Sequence, residues 1–277
     1  MDDDARVALF REHPPGWWGW PWRLPRPLTV PELIQAGSLD ASLAALLWLA
    51  LERRASIIVA AGPNGAGKTV TLSALLDFLP PAVRRVHLQG MAEDFSFVGA
   101  ADPGQTYLLA NEISDHLPIY LWGRRAQRLF ELLPEGYALG ATLHAESVGQ
   151  VLGFLTSPPL GIPERLVAAV DFVMTLALTR GSAGVVRRVE ELCLLEQGAR
   201  HVRYRPLFHG PAEGTGLVSA MEGQWSPLAR RLGMDTDELR SAHAARAEWL
   251  TARVAAGDTG PARWRAALAA YRAGRGA

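Results

Sequence analysis

The segment Gly62-Pro63-Asn64-Gly65-Ala66-Gly67-Lys68-Thr69 constrains this chain more than any other stretch. It fits G-x-x-x-x-G-K-[ST], the loop that wraps backbone N–H groups around phosphate oxygens. With average residue usage the pattern arises by chance in roughly one chain of this length per hundred, so context has to support it. Ser56-Ile57-Ile58-Val59-Ala60-Ala61 is a short β-rich run leading straight into the loop. Lys68 to Leu79 reads as a helix stopped by Pro80-Pro81. Strand, glycine loop and helix in that order are what a phosphate cradle needs. Gly65 and Gly67 allow the backbone to approach the anion, and the helix start aims its positive dipole end at it. The chain has 28 basic side chains, of which Lys68 is the one lysine. A compact ammonium on a flexible stem suits this position better than a planar guanidinium.

The same alternation continues downstream. Further β-type runs lie at Arg85–Leu88, Thr106–Ala110 and Tyr137–Leu143, with a helical stretch at Ile119–Leu133 between the last two. Strands alternating with helices predict an α/β fold with a largely parallel, buried sheet. Before the loop, Pro31–Gly37 reads as a short helix closed by glycine, and Ser38–Arg54 as a longer one with a stripe of Leu43, Leu46, Leu47 and Leu51. Phe172–Leu178, Val185–Leu195 and His201–Pro206 read as strands, the first two joined as a hairpin through the glycine-containing turn at Thr179–Gly184. Pro227–Leu232, Asp235–Ala256 and Pro261–Ala273 read as helices. The expected organisation is a Pro/Gly/Trp-rich arm at 1–28, an α/β domain holding the phosphate loop at 29–220 and a small helical C-terminal subdomain at 221–277. The arm holds Trp17, Trp18, Trp20 and Trp22, an expected packing or docking element.

Composition excludes several classes. Formal net charge is zero over 277 residues, so no global field favours nucleic acid, and no direct nucleic-acid partner is expected. Cys193 is the one cysteine, which rules out an internal disulfide and a tetracysteine zinc site. The longest apolar run, Leu43 to Leu51, is about half of the ~20 residues a membrane helix needs. Asp2, Asp3 and Asp4 stand where a secretory signal would be basic. The expectation is a cytoplasmic protein, reaching the inner face of the cell membrane through partners.

The remaining candidates lie just past the ends of β runs. Glu93 and Asp94 follow Arg85–Leu88, Glu112 follows Thr106–Ala110, and His144 follows Tyr137–Leu143. In a parallel sheet these ends share one edge, where ligands bind. Gly62, Pro63, Asn64, Gly65, Ala66, Gly67, Lys68, Thr69 and Val70 form the expected nucleotide-binding set. Lys68 would reach the β- and γ-phosphates and the Thr69 hydroxyl would ligate Mg²⁺, with Asp94 a second candidate ligand. Glu112 is placed to orient or deprotonate an attacking water, Glu93 to position it, and His144 to sense the γ-phosphate. Arg84, Arg85, Arg124 and Arg125 are candidates for stabilising charge in a neighbouring site.

These residues resemble the type II/type IV secretion ATPases, the motors of pilus assembly, secretion, conjugation and archaeal surface filaments. Gly140-Ala141-Thr142-Leu143-His144-Ala145-Glu146-Ser147 resembles their histidine box, and Leu109-Ala110-Asn111-Glu112-Ile113-Ser114-Asp115 their acidic strand. Leu88-Gln89-Gly90-Met91-Ala92-Glu93-Asp94 resembles their aspartate box. The segments Gly161–Val170 and Arg187–Glu191 are similar to downstream family segments, and the lead-in and final helices look most like the archaeal and tight-adherence branch. The resemblance spans roughly 29–273. It implies a RecA-like P-loop NTPase core, ATP and Mg²⁺ as cofactors, a homo-oligomer (hexameric in the family) and a membrane platform or secretion partner. Departures are Pro63 and Ala66 where the family has hydroxyl residues, and Asn111 where glycine is usual. The arm also stands where the family has an N-terminal domain carrying trans-acting arginines. Two functions follow: a Mg²⁺-dependent ATPase motor, or a nucleotide-binding regulatory subunit that pairs with a full-length motor. A transporter-type ATPase ranks last, because no Leu-Ser-Gly-Gly-Gln-like signature is present.

Overall fold

A computed structural model of the protein describes residues 26–181, 184–210 and 217–275. The four arm tryptophans lie outside the described residues. In chain order the elements are α1 (Val30–Gln35), α2 (Ala41–Glu52), β1 (Ile57–Ala60), α3 (Lys68–Leu75), β2 (Arg84–His87), β3 (Thr106–Ala110), α4 (Arg124–Leu132), β4 (Ala138–Leu143), α5 (Val148–Thr156), α6 (Glu164–Val167), β5 (Phe172–Gly181), β6 (Gly184–Gln197), β7 (Val202–His209), β8 (Val218–Ser219), α7 (Trp225–Leu232), α8 (Thr236–Ala255) and α9 (Pro261–Arg275).

The strands form one sheet in the order β2-β3-β4-β1-β5-β6-β7-β8. The first five run parallel and the last three antiparallel, so the expected largely parallel α/β sheet is present. The central strand β1 pairs with β4 on one side and β5 on the other. Its four residues are all buried and alternate between two cores. Ile57 and Val59 face helices α1–α3 and α7–α9, while Ile58 faces α4–α6. Period-two alternation between two apolar faces is why the run reads as continuously hydrophobic.

Helix α2 departs from the expected stripe. Leu43 through Leu51 are all buried, at most 2% exposed, because the helix lies between the sheet and α8. Trp48 stacks on Phe78 with centroids 5.1 Å apart, and the Arg246 guanidinium lies 5.1 Å from the Trp48 ring while pairing with Glu52. The final helices therefore share one hydrophobic core with α2 and that face of the sheet. No helix among the described residues is long and apolar enough to cross a membrane.

The expected helix at Ile119–Leu133 needs correction. Helix α4 starts at Arg124, after Gly123 at φ 60°. Leu121 folds back instead, its N–H donating to the Glu112 carbonyl at 2.9 Å while Ser114 N–H donates to Leu121 O at 3.2 Å. Leu121 thus pairs with the segment 112–114 that follows β3 instead of continuing a helix. The helix expected to run to Leu79 ends as α-helix at Leu75 and tightens into a 3₁₀ turn over Leu76–Phe78.

Candidate functional site

The glycine loop leaves β1 and enters α3. Gly67 is the N-cap of α3 at φ 98°, a left-handed conformation that L side chains rarely adopt, and no side chain caps the helix. The first-turn N–H groups of α3 therefore remain available to an anion. Pro63, Asn64 and Gly65 are exposed, whereas Ala66 is buried at 2% and anchors the loop.

Lys68 is buried, with 8% of its surface exposed. Its Nζ lies 3.8 Å from Glu112 Oε2 and 3.2 Å from His144 Nε2. These are its partners among the described residues. Burial pushes the Lys68 pKa below the ordinary lysine range, and the Glu112 charge opposes that shift without reversing it.

Glu112 sits one residue beyond Asn111 at the carboxyl end of β3, 5% exposed. Its backbone is held from both sides. Ile113 N–H donates to Thr142 O at 2.9 Å, the Thr142 hydroxyl donates to Asn111 O, and Leu121 N–H donates to Glu112 O. The side chain has one unmatched atom: Oε1 is buried without a hydrogen-bond partner. A buried carboxylate oxygen with spare acceptor capacity beside a phosphate loop fits a water or a hydrated cation.

His144 follows β4. Its Nδ1 lies 3.1 Å from Gly62 O, where only an N–H can serve. Lys68 Nζ lies 3.3 Å from Nδ1 and 3.2 Å from Nε2, and Nε2 lies 3.3 Å from Glu112 Oε2.

Three of the predicted site residues, Lys68, Glu112 and His144, are thus brought together. Glu93 and Asp94 have different local surroundings. Glu93 is 2% exposed and its carboxylate accepts from Gln89 N–H at 2.9 Å and Phe95 N–H at 2.7 Å, tying its own loop. Asp94 is exposed and caps Ser96 N–H at 3.0 Å. Among the candidate arginines, Arg85 donates to Leu76 O at 2.6 Å and Arg125 to Glu93 O at 2.9 Å, both inside this chain.

A cavity of about 800 Å³ opens beside the loop. Its lining includes Lys68, Thr69 and Glu112 together with the aliphatic Leu33, Leu176 and Val186. That volume and mixed lining suit a nucleotide, whose phosphates need cations and whose base needs apolar contact. The hairpin residue Arg187 also lines it, its Nε donating to Gly65 O at 2.7 Å. Nothing in the sequence by itself assigns Arg187 to the site. The sole available signal was its alternation with Val185 and Val189, since its contact lies 122 positions away. Glu146 lies over the first loop glycine, where a Cβ on Gly62 would come within 2.3 Å of Glu146 Cγ.

No family model matches the chain. An uncharacterized protein of Methanocaldococcus jannaschii is 27% identical over 179 residues, which covers 58% of this chain and 66% of that protein. A second uncharacterized protein of the same organism is 25% identical over 222 residues, covering 73% of this chain and 37% of that protein. The chain thus spans less than two thirds of the length of either relative. Among solved structures, the VirB11 ATPase from the Brucella suis type IV secretion system, in complex with sulphate, aligns at TM-score 0.41 and 20% identity, covering 70% of this chain and 62% of that one. The Legionella pneumophila ATPase DotB aligns at TM-score 0.40 and 12% identity, covering 88% and 66%.

Proposed function

We propose that this chain binds ATP with Mg²⁺ and hydrolyses it as a motor subunit of a secretion, pilus or conjugation-type machine. One observation carries the reading: a buried lysine at the root of a glycine loop, within 4 Å of a half-satisfied buried glutamate and a histidine. Burying an ammonium is costly unless something uses the charge. A triphosphate at the α3 N-terminus uses it.

Lys68 neutralises charge on the phosphates, and the first-turn N–H groups of α3 hold them. The Thr69 hydroxyl and the open Glu112 Oε1 fit a hydrated Mg²⁺, which would supply Lewis-acid polarisation of the phosphates when bound. Glu112 orients the attacking water and takes its proton as the water oxygen bonds to the γ-phosphorus and the bond to the β–γ bridging oxygen breaks. His144, tied to Gly62 and within reach of both Lys68 and Glu112, reports whether the γ-phosphate is present. The four motif segments in family order support the secretion-type reading. On that reading the chain works as a homo-oligomer against a membrane platform or secretion partner, and turnover is slow until neighbours complete the site.

Steady-state phosphate release, measured for wild type, Lys68→Ala and Glu112→Gln across protein concentration, tests this. A motor gives specific activity that rises with concentration and vanishes in both variants. Saturable ATP binding with no turnover at any concentration would replace the motor with the regulatory subunit.

A further inference from the structure

The β5–β6 hairpin overshoots the parallel part of the sheet. β1 ends at Ala60, paired with Thr175 of β5, yet β5 continues to Gly181. The ladder shifts register between Thr175 and Leu176, at the point where β5 loses its parallel neighbour. Such a bulge bends a strand and increases its twist. Arg187 pairs with Leu178, three positions past Thr175, which places it roughly 10 Å beyond the end of β1. That is where the glycine loop lies.

Strand alternation sets the direction of the side chain. Val189 packs in the core shared with α3, and Arg187 lies two residues before it on the same face. Its Nε donates to Gly65 O at 2.7 Å, and its Cδ would lie 3.6 Å from a Cβ placed on Gly67. The guanidinium therefore borders the loop next to the α3 N-cap. Among the described residues no carboxylate pairs with it, and it remains exposed at the cavity wall. One edge of its donor fork holds the loop carbonyl while the two terminal nitrogens are left to a ligand.

We infer that Arg187 is a phosphate-contacting residue supplied in cis by the β5–β6 hairpin, closing the outer side of the cradle that Lys68 closes from within. The contact goes to the diphosphate portion shared by ADP and ATP, because Arg187 borders Gly65 and the helix start, the part of the loop that cradles those phosphates. This rests on the nucleotide reading of the site.

The test is calorimetric titration of the full chain with Mg·ADP. Arg187→Gln should weaken binding by roughly ten- to a hundredfold, the value of a hydrogen bond to a charged group. Arg187→Lys should recover at least half of that loss on a logarithmic scale, and the gap between variants should shrink in high salt. Arg180→Gln, on the partner strand of the same hairpin, should bind like wild type and controls for hairpin integrity. Affinity of Arg187→Gln within twofold of wild type overturns the inference. Equal losses in the Gln and Lys variants also overturn it, since they would leave Arg187 a loop-to-hairpin tie alone. Absence of Mg·ADP binding by wild type would defeat the nucleotide reading itself and this inference with it.

Discussion

Lys68 and Glu112 should behave as a coupled buried pair whose strain exists for a ligand. At 3.8 Å and an effective dielectric near 20, their attraction is about 4 kcal/mol. Each charge alone carries a desolvation penalty of several kcal/mol, and the lowered Lys68 pKa shows that burial outweighs the attraction on the lysine side. Glu112→Gln leaves the ammonium without a counter-charge. Its cost is capped at about 5 kcal/mol, the cost of releasing an ordinary lysine proton at pH 7. Each single change, Lys68→Met or Glu112→Gln, should then cost the nucleotide-free protein about 2 kcal/mol. The double variant removes both charges and should fall within about 1 kcal/mol of wild type, a coupling of roughly 3–4 kcal/mol. Urea unfolding at pH 7 without nucleotide reads all three, and in a chain of this size each single should also lower Tm by roughly 5 °C. Additive single and double effects would refute the reasoning, because an uncoupled pair cannot be the charged centre of the site.

Two further outcomes follow from packing and titration. His243 is buried with Nε2–H donating to Ser42 O at 2.9 Å, and burial holds its pKa below the ordinary value despite that bond and the Asp40 charge. The folded state prefers the neutral ring, so its stabilising contribution is full above about pH 6.5 and is lost as pH falls below it; His243→Gln should flatten the Tm decline between about pH 7.5 and 5.5. Gly90 has φ 62°, and a Cβ there would lie 2.3 Å from Ile119 C and 2.4 Å from Pro118 O, so Gly90→Ala should cost about 2–4 kcal/mol in denaturant unfolding by displacing the loop that braces Glu112.

The parallel half of the sheet was legible because β1, β3 and β4 are buried on both faces and so appear as short, uncharged, mostly apolar runs. The glycine loop was legible because its chemistry is local: spacing alone sets the dihedrals and the helix start. Lys68, Glu112 and His144 could be grouped because strand ends of a parallel sheet share an edge. The segment 119–123 imitates helical spacing in its apolar residues, yet the Leu121 backbone pairs with Glu112 and Ser114 just past β3, a tertiary contact no local window contains. Helix α2 was under-read for a related reason. A stripe was visible, but only the packing of α8 on its outer side explains burial all round. Arg187 shows the same limit at the site. Its neighbour Gly65 stands 122 positions earlier, and a bulge decides where the hairpin goes.

The most direct measurement is equilibrium binding of Mg·ATP to the full chain in three forms: wild type, Glu112→Gln and Lys68→Ala. Glu112→Gln keeps the loop and its lysine, so it should bind with wild-type-like affinity and accumulate unhydrolysed ATP. Lys68→Ala should lose saturable binding. Wild-type-like binding by Lys68→Ala, or no saturable binding by wild type, would contradict the account at its root.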